Sequence, residues 1–291
     1  MDVEVIRDPE RMRERSRAAR AAGRTVGLVP TMGFLHEGHA SLILKAREEC
    51  GFVVVSIFVN PAQFGPGEDF ERYPRDIDHD LSVLERTGAD VMFSPEASRM
   101  YRRENGGHRT WVTVEGLADR LCGAARPGHF RGVATVVTKL LHIVEPDAVY
   151  FGQKDAQQAI LIRAMARDLD MAARVVVCPT VRERDGLAMS SRNKYLSPAE
   201  REAAPVIHRA LQAASDAAAE GASGTGVADR ARIVLAGEPM FSVDYLELVS
   251  TTDLKPIEPG FSGEALLAVA GRIGNTRLID NLVIAVKAAT H

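Results

Sequence analysis

The chain has 291 residues, of which 46% are hydrophobic and 26% are charged, a composition that excludes a disordered or collagen-like protein. Lys and Arg total 36 against 39 Asp and Glu, a formal net charge of −3, whereas dedicated nucleic-acid-binding proteins carry a basic excess. The length predicts about two domains.

Three cysteines, Cys50, Cys122 and Cys178, lie far apart and form no C-x-x-C pair, so neither a disulfide framework nor a zinc site is indicated. The N-terminus carries Asp2 and Glu4 where a secretory signal needs an apolar stretch. No apolar run approaches the roughly 18 residues that span a bilayer. We therefore expect a cytoplasmic protein with neither a membrane nor a nucleic-acid partner.

Short β-rich apolar runs alternate with amphipathic segments from Thr25 to Thr180, which predicts βαβ units around a parallel sheet. The predicted strands are 26–29, 52–59, 90–93, 148–151 and 174–178. The predicted helices are 40–50, 78–87, 133–144 and 156–169. An α/β sheet of this kind binds ligands beyond the carboxyl ends of its strands, so functional residues are sought there.

The pattern changes after about residue 182, where a smaller α+β domain is predicted. Ser197 and Glu200 resemble a capping box that opens a long Ala-rich helix, and the Gly/Ser density of 220–226 predicts a flexible loop. Predicted strands follow at 243–249, 265–270 and 278–286. We place the two domains at residues 1–184 and 185–291.

The first motif follows the first predicted strand of the sheet and contains His36-Glu37-Gly38-His39. At the start of a helix the two histidines share a face beside the positive end of the helix dipole. Such a pair suits phosphate oxygens that gain charge during displacement at phosphorus, and Gly33 and Gly38 let the backbone approach a nucleotide. The alternatives are a capped loop with solvent-facing histidines and a metal site, although zinc sites need a third protein ligand.

The second motif is a polar loop, Met189-Ser190-Ser191-Arg192, where the chain leaves the predicted sheet. Two hydroxyls and a guanidinium suit a polyphosphate, and an ordinary polar turn is the alternative. The order of the two motifs favours the first interpretation. An H-x-G-H segment after the first strand and an M-S-S loop after the last resemble the two-part signature of nucleotidyl transferases in the class I synthetase superfamily.

Polar side chains also follow two other predicted strands. Lys154 could neutralise phosphate charge, Asp155 could bind a ribose hydroxyl or a magnesium-bound water, and Gln158 lies one turn into the next helix. An N-cap at Asp155 and a solvated charge at Lys154 are the alternatives. The Gln63 amide both donates and accepts, which suits a ligand with a carboxylate and a hydroxyl, or it belongs to a turn.

A basic segment and a glycine-rich segment complete the candidates. Arg126, His129 and Arg131 concentrate positive charge before a predicted helix, which suits a carboxylate or phosphate, or forms a solvated basic loop. Residues 65–76 contain glycines and charges but little apolar content, which is typical of a lid or of a surface loop.

Together these segments resemble the pantothenate synthetase family, the AMP-forming pantoate–β-alanine ligases, across nearly the whole chain. The matching stretches are 30–39, 57–64, 73–75, 126–133, 151–158, 179–196 and 276–281. The resemblance implies a Rossmann-like N-terminal domain with helices on both faces of its sheet, a smaller C-terminal domain, a cytoplasmic enzyme and a homodimer.

The resemblance also implies an activity. ATP, with Mg²⁺, would activate (R)-pantoate as a pantoyl adenylate and release pyrophosphate. The amine of β-alanine would then displace AMP and form pantothenate, a precursor of coenzyme A. Adenylation makes chemical sense because a free carboxylate is a poor electrophile.

The residue roles that the resemblance implies, transferred to matching positions of this chain, have ATP bind two segments and one loop. His39 would be the proton donor, with His36 as its phosphate-binding companion and Lys154 and Arg192 as the main cations. Gln63 and Gln158 would bind pantoate, Gln63 would also reach β-alanine, and no residue is assigned to a protein-bound metal. The residues implied to bind ATP are Met32, Gly33, Phe34, Leu35, His36, Glu37, Gly38, His39, Gly152, Gln153, Lys154, Asp155, Val181, Met189, Ser190, Ser191 and Arg192.

The chain departs from the family pattern at a few positions. Gln153 stands where many relatives have Glu, and Asp76 and His79 lie in a variable lid segment. Another adenylyl transferase of the same fold is the nearest alternative, but it would not need the Gln63 and Gln158 pair. A tRNA synthetase and a non-catalytic nucleotide-binding module are further alternatives.

Overall fold

The computed structural model describes residues 3–101, 107–258 and 260–287. Contacts between residues divide the chain into two units. The first comprises Met1–Asp119, Gly123–Gln153 and Leu161–Pro179, and the second comprises Arg120–Cys122, Lys154–Ile160 and Thr180–His291. The domain boundary between residues 184 and 185 stays a prediction.

The strands are numbered in chain order as β1 (Glu4–Ile6), β2 (Val26–Thr31), β3 (Phe52–Ile57), β4 (Val91–Phe93), β5 (Ala148–Gly152), β6 (Arg174–Cys178), β7 (Phe241–Ser250), β8 (Gly263–Ile273) and β9 (Thr276–Val286). The α-helices are α1 (Pro9–Ala21), α2 (Glu37–Glu49), α3 (Ile77–Thr87), α4 (Ala97–Met100), α5 (Cys122–Ala125), α6 (His129–Val144), α7 (Ala156–Asp168), α8 (Pro198–Ala203), α9 (Val206–Ala219) and α10 (Gly224–Ala236). Short 3₁₀ turns cover Pro61–Gln63, Gln153–Asp155 and Ser191–Tyr195.

The first unit contains a six-stranded parallel sheet in the order β1-β4-β3-β2-β5-β6. After β2 the chain adds β3 and β4 on one side of the sheet, and after β5 it adds β6 on the other side. The topological switch point therefore lies between the neighbouring strands β2 and β5. Ligands of open α/β sheets bind at that point, beyond the carboxyl ends of the strands. The predicted α/β fold with a parallel sheet is confirmed.

Helices cover both faces of this sheet, which explains the nearly continuous apolar runs of its strands. Val53 and Val55 of β3 are fully buried against a core that α2 and α3 supply, while Phe52 and Val54 point to the opposite face and are also fully buried. The edge strand β1, which pairs with β4, and the helix α1 lie before Thr25 and were absent from the predicted elements. Strand β1 has three residues, too few to show a periodic pattern.

The second unit contains an antiparallel sheet in the order β7-β8-β9. Its core joins Ile207 and Leu211 of α9 and Leu235 of α10 to Leu267 and Val269 of β8. The sheet register shifts between Val243 and Tyr245, which is typical of a β-bulge. The predicted smaller α+β domain with three strands is confirmed.

Two local predictions in this unit were wrong in extent. Ser197 and Glu200 form the predicted capping box, but Pro205 divides the predicted long helix into α8 and α9 because it lacks the N–H that continues a helix. The predicted loop at 220–226 is shorter, since Ser223 caps α10, which begins at Gly224. Among the described residues, no helix combines the length and apolar character needed to cross a membrane.

Candidate active site

The turn after β2 has a backbone conformation that only certain residues adopt. Gly33 has φ +81° and Phe34 has φ +51°, so two successive residues are left-handed. A Cβ on Gly33 would lie 2.9 Å from Asp80 Oδ2 and from Ile57 Cγ2. Glycine is therefore required here both by its φ and by the close approach of α3.

Asp80 of α3 holds this turn in place. Its carboxylate accepts hydrogen bonds from the amides of Phe34 (3.0 Å) and Leu35 (2.6 Å), and its side chain is buried. Burial raises the pKa of Asp80 above its ordinary value, although the two amides oppose that shift. The neighbouring His79 donates from Nε2 to the Leu35 carbonyl at 2.9 Å. The turn that opens the histidine motif is thus fixed by a buried anion.

His36 and His39 cap the N-terminus of α2, each through its own Nδ1 atom. His36 Nδ1 accepts from the Gly38 amide at 3.1 Å, and His39 Nδ1 accepts from the His36 amide at 3.3 Å, which makes a reciprocal capping box. An Nδ1 that accepts carries no proton, so each neutral ring carries its proton on Nε2. The two rings lie side by side, with centroids 4.0 Å apart and planes tilted by 34°. The capped-loop interpretation is therefore correct about the cap, and the same cap prepares two neighbouring Nε2–H donors.

Gln63 lies beyond the end of β3, which pairs directly with β2. Asn60 caps the short 3₁₀ turn through its Oδ1, which accepts from the Ala62 amide at 3.2 Å. Gln63 Nε2 donates to Met32 Sδ at 3.0 Å. The first unit therefore brings the predicted pantoate residue Gln63 together with Met32 of the predicted nucleotide segment.

The predicted basic segment spans the start of α6, which begins at His129 rather than at residue 133, and Arg126 and His129 make contacts inside the protein. Arg126 binds Glu68 through two hydrogen bonds, Nε to Oε1 at 2.7 Å and Nη2 to Oε2 at 2.5 Å. Burial alone would raise the pKa of Glu68, but the Arg126 guanidinium, helped by the Gly65 amide and His129, lowers it. His129 lies in the first turn of α6, accepts from Arg126 Nη1 at 3.1 Å and donates from Nδ1 to the Gln63 carbonyl at 2.8 Å. This segment joins the predicted lid to the backbone of Gln63.

Gly152 ends β5 and Gln153 follows it, on the other side of the switch point from β3. Both residues are partly buried. No described atom outside its chain neighbours lies within 4 Å of a Cβ placed on Gly152. Open space beside this backbone, next to the end of β2, is what the close approach of a nucleotide requires.

The remaining predicted residues belong to the second unit. Lys154 Nζ lies 3.7 Å from Asp155 Oδ2, and Asn281 Nδ2 donates to the Lys154 carbonyl at 2.9 Å. Gln158 is partly buried in the first turn of α7. Its neighbour Gln157 is buried and accepts from the Cys122 amide at 3.0 Å.

The Met189–Arg192 loop follows a short hairpin in the same unit. The Met189 amide donates to the Val181 carbonyl at 3.0 Å, and Arg182 forms a forked contact with Asp280 of β9 at 2.5 and 3.1 Å. Ser190 caps the 3₁₀ turn of Ser191–Tyr195. Strand β9 thus supports both Lys154 and the hairpin that precedes the Met189–Arg192 loop. Asp280 binds Arg182 of the hairpin, and the adjacent Asn281 binds the Lys154 carbonyl.

Several supporting residues were not predicted as site residues. Asp80 shares the buried face of α3 with Val83, Leu84 and Thr87, so a carboxylate on an apolar helix stripe was the available signal. Asp280 is likewise a buried charge in an apolar strand. Within the described ranges, no group of three or more His, Cys, Asp or Glu could hold a metal ion.

Comparison with known proteins gives consistent matches. The family model for pantoate-beta-alanine ligase matches residues 4–283. A pantothenate synthetase from Heliobacterium modesticaldum is 52% identical over 290 residues, covering 98% of this chain and 99% of its own. One from Acidobacterium capsulatum is 55% identical over 267 residues, covering 90% of this chain and 86% of its own.

Solved structures give the same result. Pantothenate synthetase from Thermus thermophilus superimposes with a TM-score of 0.90 at 46% identity, covering 96% of this chain and 99% of its own. A pantoate-beta-alanine ligase from Francisella tularensis, complexed with beta-gamma ATP and beta-alanine, has a TM-score of 0.79 at 32% identity and covers 97% of both chains. On these matches over nearly its whole length, the chain belongs to the pantoate–β-alanine ligase family.

Proposed function

We propose that this chain is an AMP-forming ligase that joins (R)-pantoate to β-alanine at the expense of ATP and makes pantothenate. The observation that carries the proposal is the paired capping of His36 and His39, which leaves both ring protons on Nε2 at the carboxyl end of β2. Membership of the family supports the choice of substrates. The structure of the Francisella relative with an ATP ligand and β-alanine supports two of them directly.

The first step forms the adenylate. A carboxylate oxygen of pantoate attacks the α-phosphorus of Mg·ATP, the bond from that phosphorus to the bridging oxygen breaks, and pyrophosphate leaves. Negative charge on the phosphate oxygens grows during this displacement. Fixed Nε2–H donors on His39 and His36 would stabilise the charge without reorganisation, because their rings are already held by the cap.

The second step forms the amide. The β-alanine amine attacks the acyl carbon of the adenylate, the acyl C–O bond breaks, and AMP leaves with the oxygen that came from pantoate. The amine loses a proton in this step. The adenylate provides a much better leaving group than the oxide of a free carboxylate, so the protein mainly has to bind, orient and exclude water.

The remaining assignments extend the proposal residue by residue. Gln63 binds pantoate and reaches β-alanine, and Gln158 binds pantoate. The ATP set is Met32 to His39, Gly152 to Asp155, Val181 and Met189 to Arg192, with Lys154 and Arg192 as the cations that oppose the phosphate charge. The positions of the segments support these assignments. The segments lie at or beyond the carboxyl ends of β2, β5 and β6, and the Met189–Arg192 loop follows the last of these strands.

Mg²⁺, assembly and location complete the proposal. Mg²⁺ enters as part of the Mg·ATP substrate, since this ion keeps several waters and binds through phosphates and one or two carboxylates. Asp155 is an exposed carboxylate in the nucleotide segment that could contact its water shell. The family resemblance supports a cytoplasmic homodimer.

Product analysis tests the proposed function. Purified protein incubated with Mg·ATP, pantoate and β-alanine should form AMP, pyrophosphate and pantothenate in equal amounts. Omission of β-alanine should leave a single turnover of pyrophosphate, and omission of pantoate should leave none. Formation of ADP and phosphate, or pantothenate formation without AMP, would contradict the adenylate route.

A further inference from the structure

We propose that Tyr101 is a positioning residue that fixes the amide orientation of Gln63 and so aims a hydrogen-bond donor at pantoate. Tyr101 follows α4 and touches neither the histidine motif nor the nucleotide segments in any described hydrogen bond. It acts through Asn60, which lies between it and Gln63. The inference rests on the proposed function, because it assigns a recognition task to the same site.

The first step is the orientation of Asn60. Its side-chain oxygen must be the atom that faces the Ala62 amide, because a backbone N–H only donates and the distance is 3.2 Å. The same Oδ1 lies 2.7 Å from the Tyr101 hydroxyl. The hydroxyl therefore donates, and two donors hold one oxygen.

The second step is the orientation of Gln63. With its oxygen occupied, Asn60 presents Nδ2 to the Gly132 carbonyl at 3.2 Å and to Gln63 Oε1 at 3.0 Å. Gln63 Oε1 is thus paired inside the protein. The other end of the amide, Nε2, is the atom that faces Met32 Sδ at 3.0 Å.

The third step is the chemistry of that contact. A thioether sulfur is a weak acceptor, so a ligand oxygen can replace Met32 Sδ with a gain in hydrogen-bond strength. A fixed N–H donor recognises the carboxylate and hydroxyl oxygens of a small hydroxy acid. A flipped Gln63 would instead present an acceptor and repel a carboxylate oxygen, which has no proton to donate, so the orientation of one amide favours a carboxylate ligand.

The surroundings of Tyr101 make it a fixed point. Its ring stacks on Trp111 with centroids 6.2 Å apart and meets the edge of His108 at 5.0 Å. Burial raises the pKa of the Tyr101 hydroxyl, opposed by its bond to Asn60, so the hydroxyl remains a donor at every working pH. Next to Asn60, Gly132 packs so tightly that a Cβ there would lie 2.2 Å from the Ala62 carbonyl oxygen. The turn that carries Gln63 has little room to move.

Tyr101→Phe removes only the hydroxyl and keeps the ring packing. Tyr150→Phe is the matched control, because its buried hydroxyl donates to Glu49 Oε2 at 3.0 Å outside the site. We expect Tyr101→Phe to raise the pantoate Kd by about three- to tenfold, the value of one neutral hydrogen bond, with the Kd of a non-hydrolysable ATP analogue changed less than twofold. The control should change neither constant.

A double-mutant cycle shows whether Tyr101 acts through Gln63. In a Gln63→Ala background, Tyr101→Phe should lower kcat/KM for pantoate by less than twofold, since no amide remains to be oriented. An equal loss in both backgrounds, an unchanged pantoate Kd in Tyr101→Phe, or an equal loss of ATP binding would overturn the inference.

Direct binding separates this inference from the proposed function. Pantoate and ATP-analogue titrations by calorimetry need no turnover, so they compare Tyr101→Phe with the unaltered chain even if no AMP is formed. AMP formation without a Tyr101 effect would overturn the inference and leave the proposed function intact. Absence of pantoate binding to the unaltered chain would overturn both.

Discussion

Asp80→Asn tests the claim that a buried carboxylate sets the position of the two histidines. The substitution preserves the size of the side chain but leaves one acceptor oxygen where there were two. One of the amides of Phe34 and Leu35, now bound at 3.0 and 2.6 Å, would face an NH₂ group. Asp78, two residues away on the same helix, is exposed, so Asp78→Asn is the matched control.

The magnitude follows from the contacts. A buried amide without a partner costs about 1–3 kcal/mol, and the left-handed Phe34 already costs about 1 kcal/mol or more. A shift of about 2 kcal/mol lowers the equilibrium constant between the native turn and its alternatives by about 30-fold. Burial raises the pKa of Asp80, so removing its charge also removes a desolvation cost. We therefore expect the melting temperature to change little while the turn is lost.

Single-turnover formation of pantoyl adenylate is the assay. Asp80→Asn should slow this step by about 10- to 30-fold, with the pantoate Kd changed less than twofold because Gln63 lies on a different strand end. The amide proton of Leu35 should move upfield in the NMR spectrum as its acceptor changes. An adenylation rate equal to that of Asp78→Asn, or a loss that merely follows the unfolded fraction, would refute the reasoning.

Three further predictions concern other contacts. His39→Gln should retain more adenylation activity than His39→Asn, because only the longer amide reaches the Nε2 position, and His39→Ala should lose on the order of 10²-fold; equal rates for Gln and Asn would argue against Nε2 as the donor. Glu68→Gln should lower unfolding free energy near pH 7 by about 1–2 kcal/mol, between the values of surface and buried ion pairs. Because the folded pKa of Glu68 is lowered by Arg126, this difference should shrink below the ordinary Glu pKa of about 4.3 and vanish below the folded pKa, whereas a pH-independent difference in urea titrations would contradict the pairing. Asp280→Asn should weaken ATP-analogue binding more than pantoate binding, since its contact with Arg182 supports the Met189–Arg192 loop; an equal loss for both ligands would exclude that specific role.

The sheet was predictable because its strands are buried on both faces. The run that became β3 has almost no polar residue, and glycine- or proline-rich segments punctuate the chain between strands. The edge strand β1 was harder to predict than the edge strand β6, which was predicted at residues 174–178. Strand β1 is too short for periodicity, and its pairing with β4 joins residues about as far apart as Glu4 and Val91. Such a contact is visible only when the chain is folded.

Helix boundaries followed capping chemistry where it was recognised. Ser197 and Glu200 formed the predicted capping box. His36 is a less common cap, and α2 consequently begins at Glu37, three residues before the predicted start. Pro205 was an available signal for the break between α8 and α9, but the Ala-rich composition around it favoured one long helix. The helix preference of the alanines conflicted there with the missing N–H of Pro205, and the missing N–H broke the helix.

The histidine motif and the segments after β3 and β5 could be located by the rule that ligands bind beyond strand ends. The contacts that hold these segments in place could not be predicted from the sequence. The Asp80 carboxylate reaches amides 45 and 46 positions earlier in the chain, and no local pattern links the two. The pairing of Arg126 with Glu68 is similarly non-local, so one arginine of a basic segment that suited an external anion is paired with an internal one.

Transfer of oxygen tests the central claim most directly. Pantoate labelled with ¹⁸O in its carboxylate should be incubated with unlabelled Mg·ATP and β-alanine, and the AMP analysed by mass spectrometry. The adenylate route predicts one ¹⁸O atom in each AMP and none in pyrophosphate, because the attacking oxygen stays on the α-phosphorus when the amine displaces AMP. Unlabelled AMP, or ¹⁸O in inorganic phosphate, would contradict it.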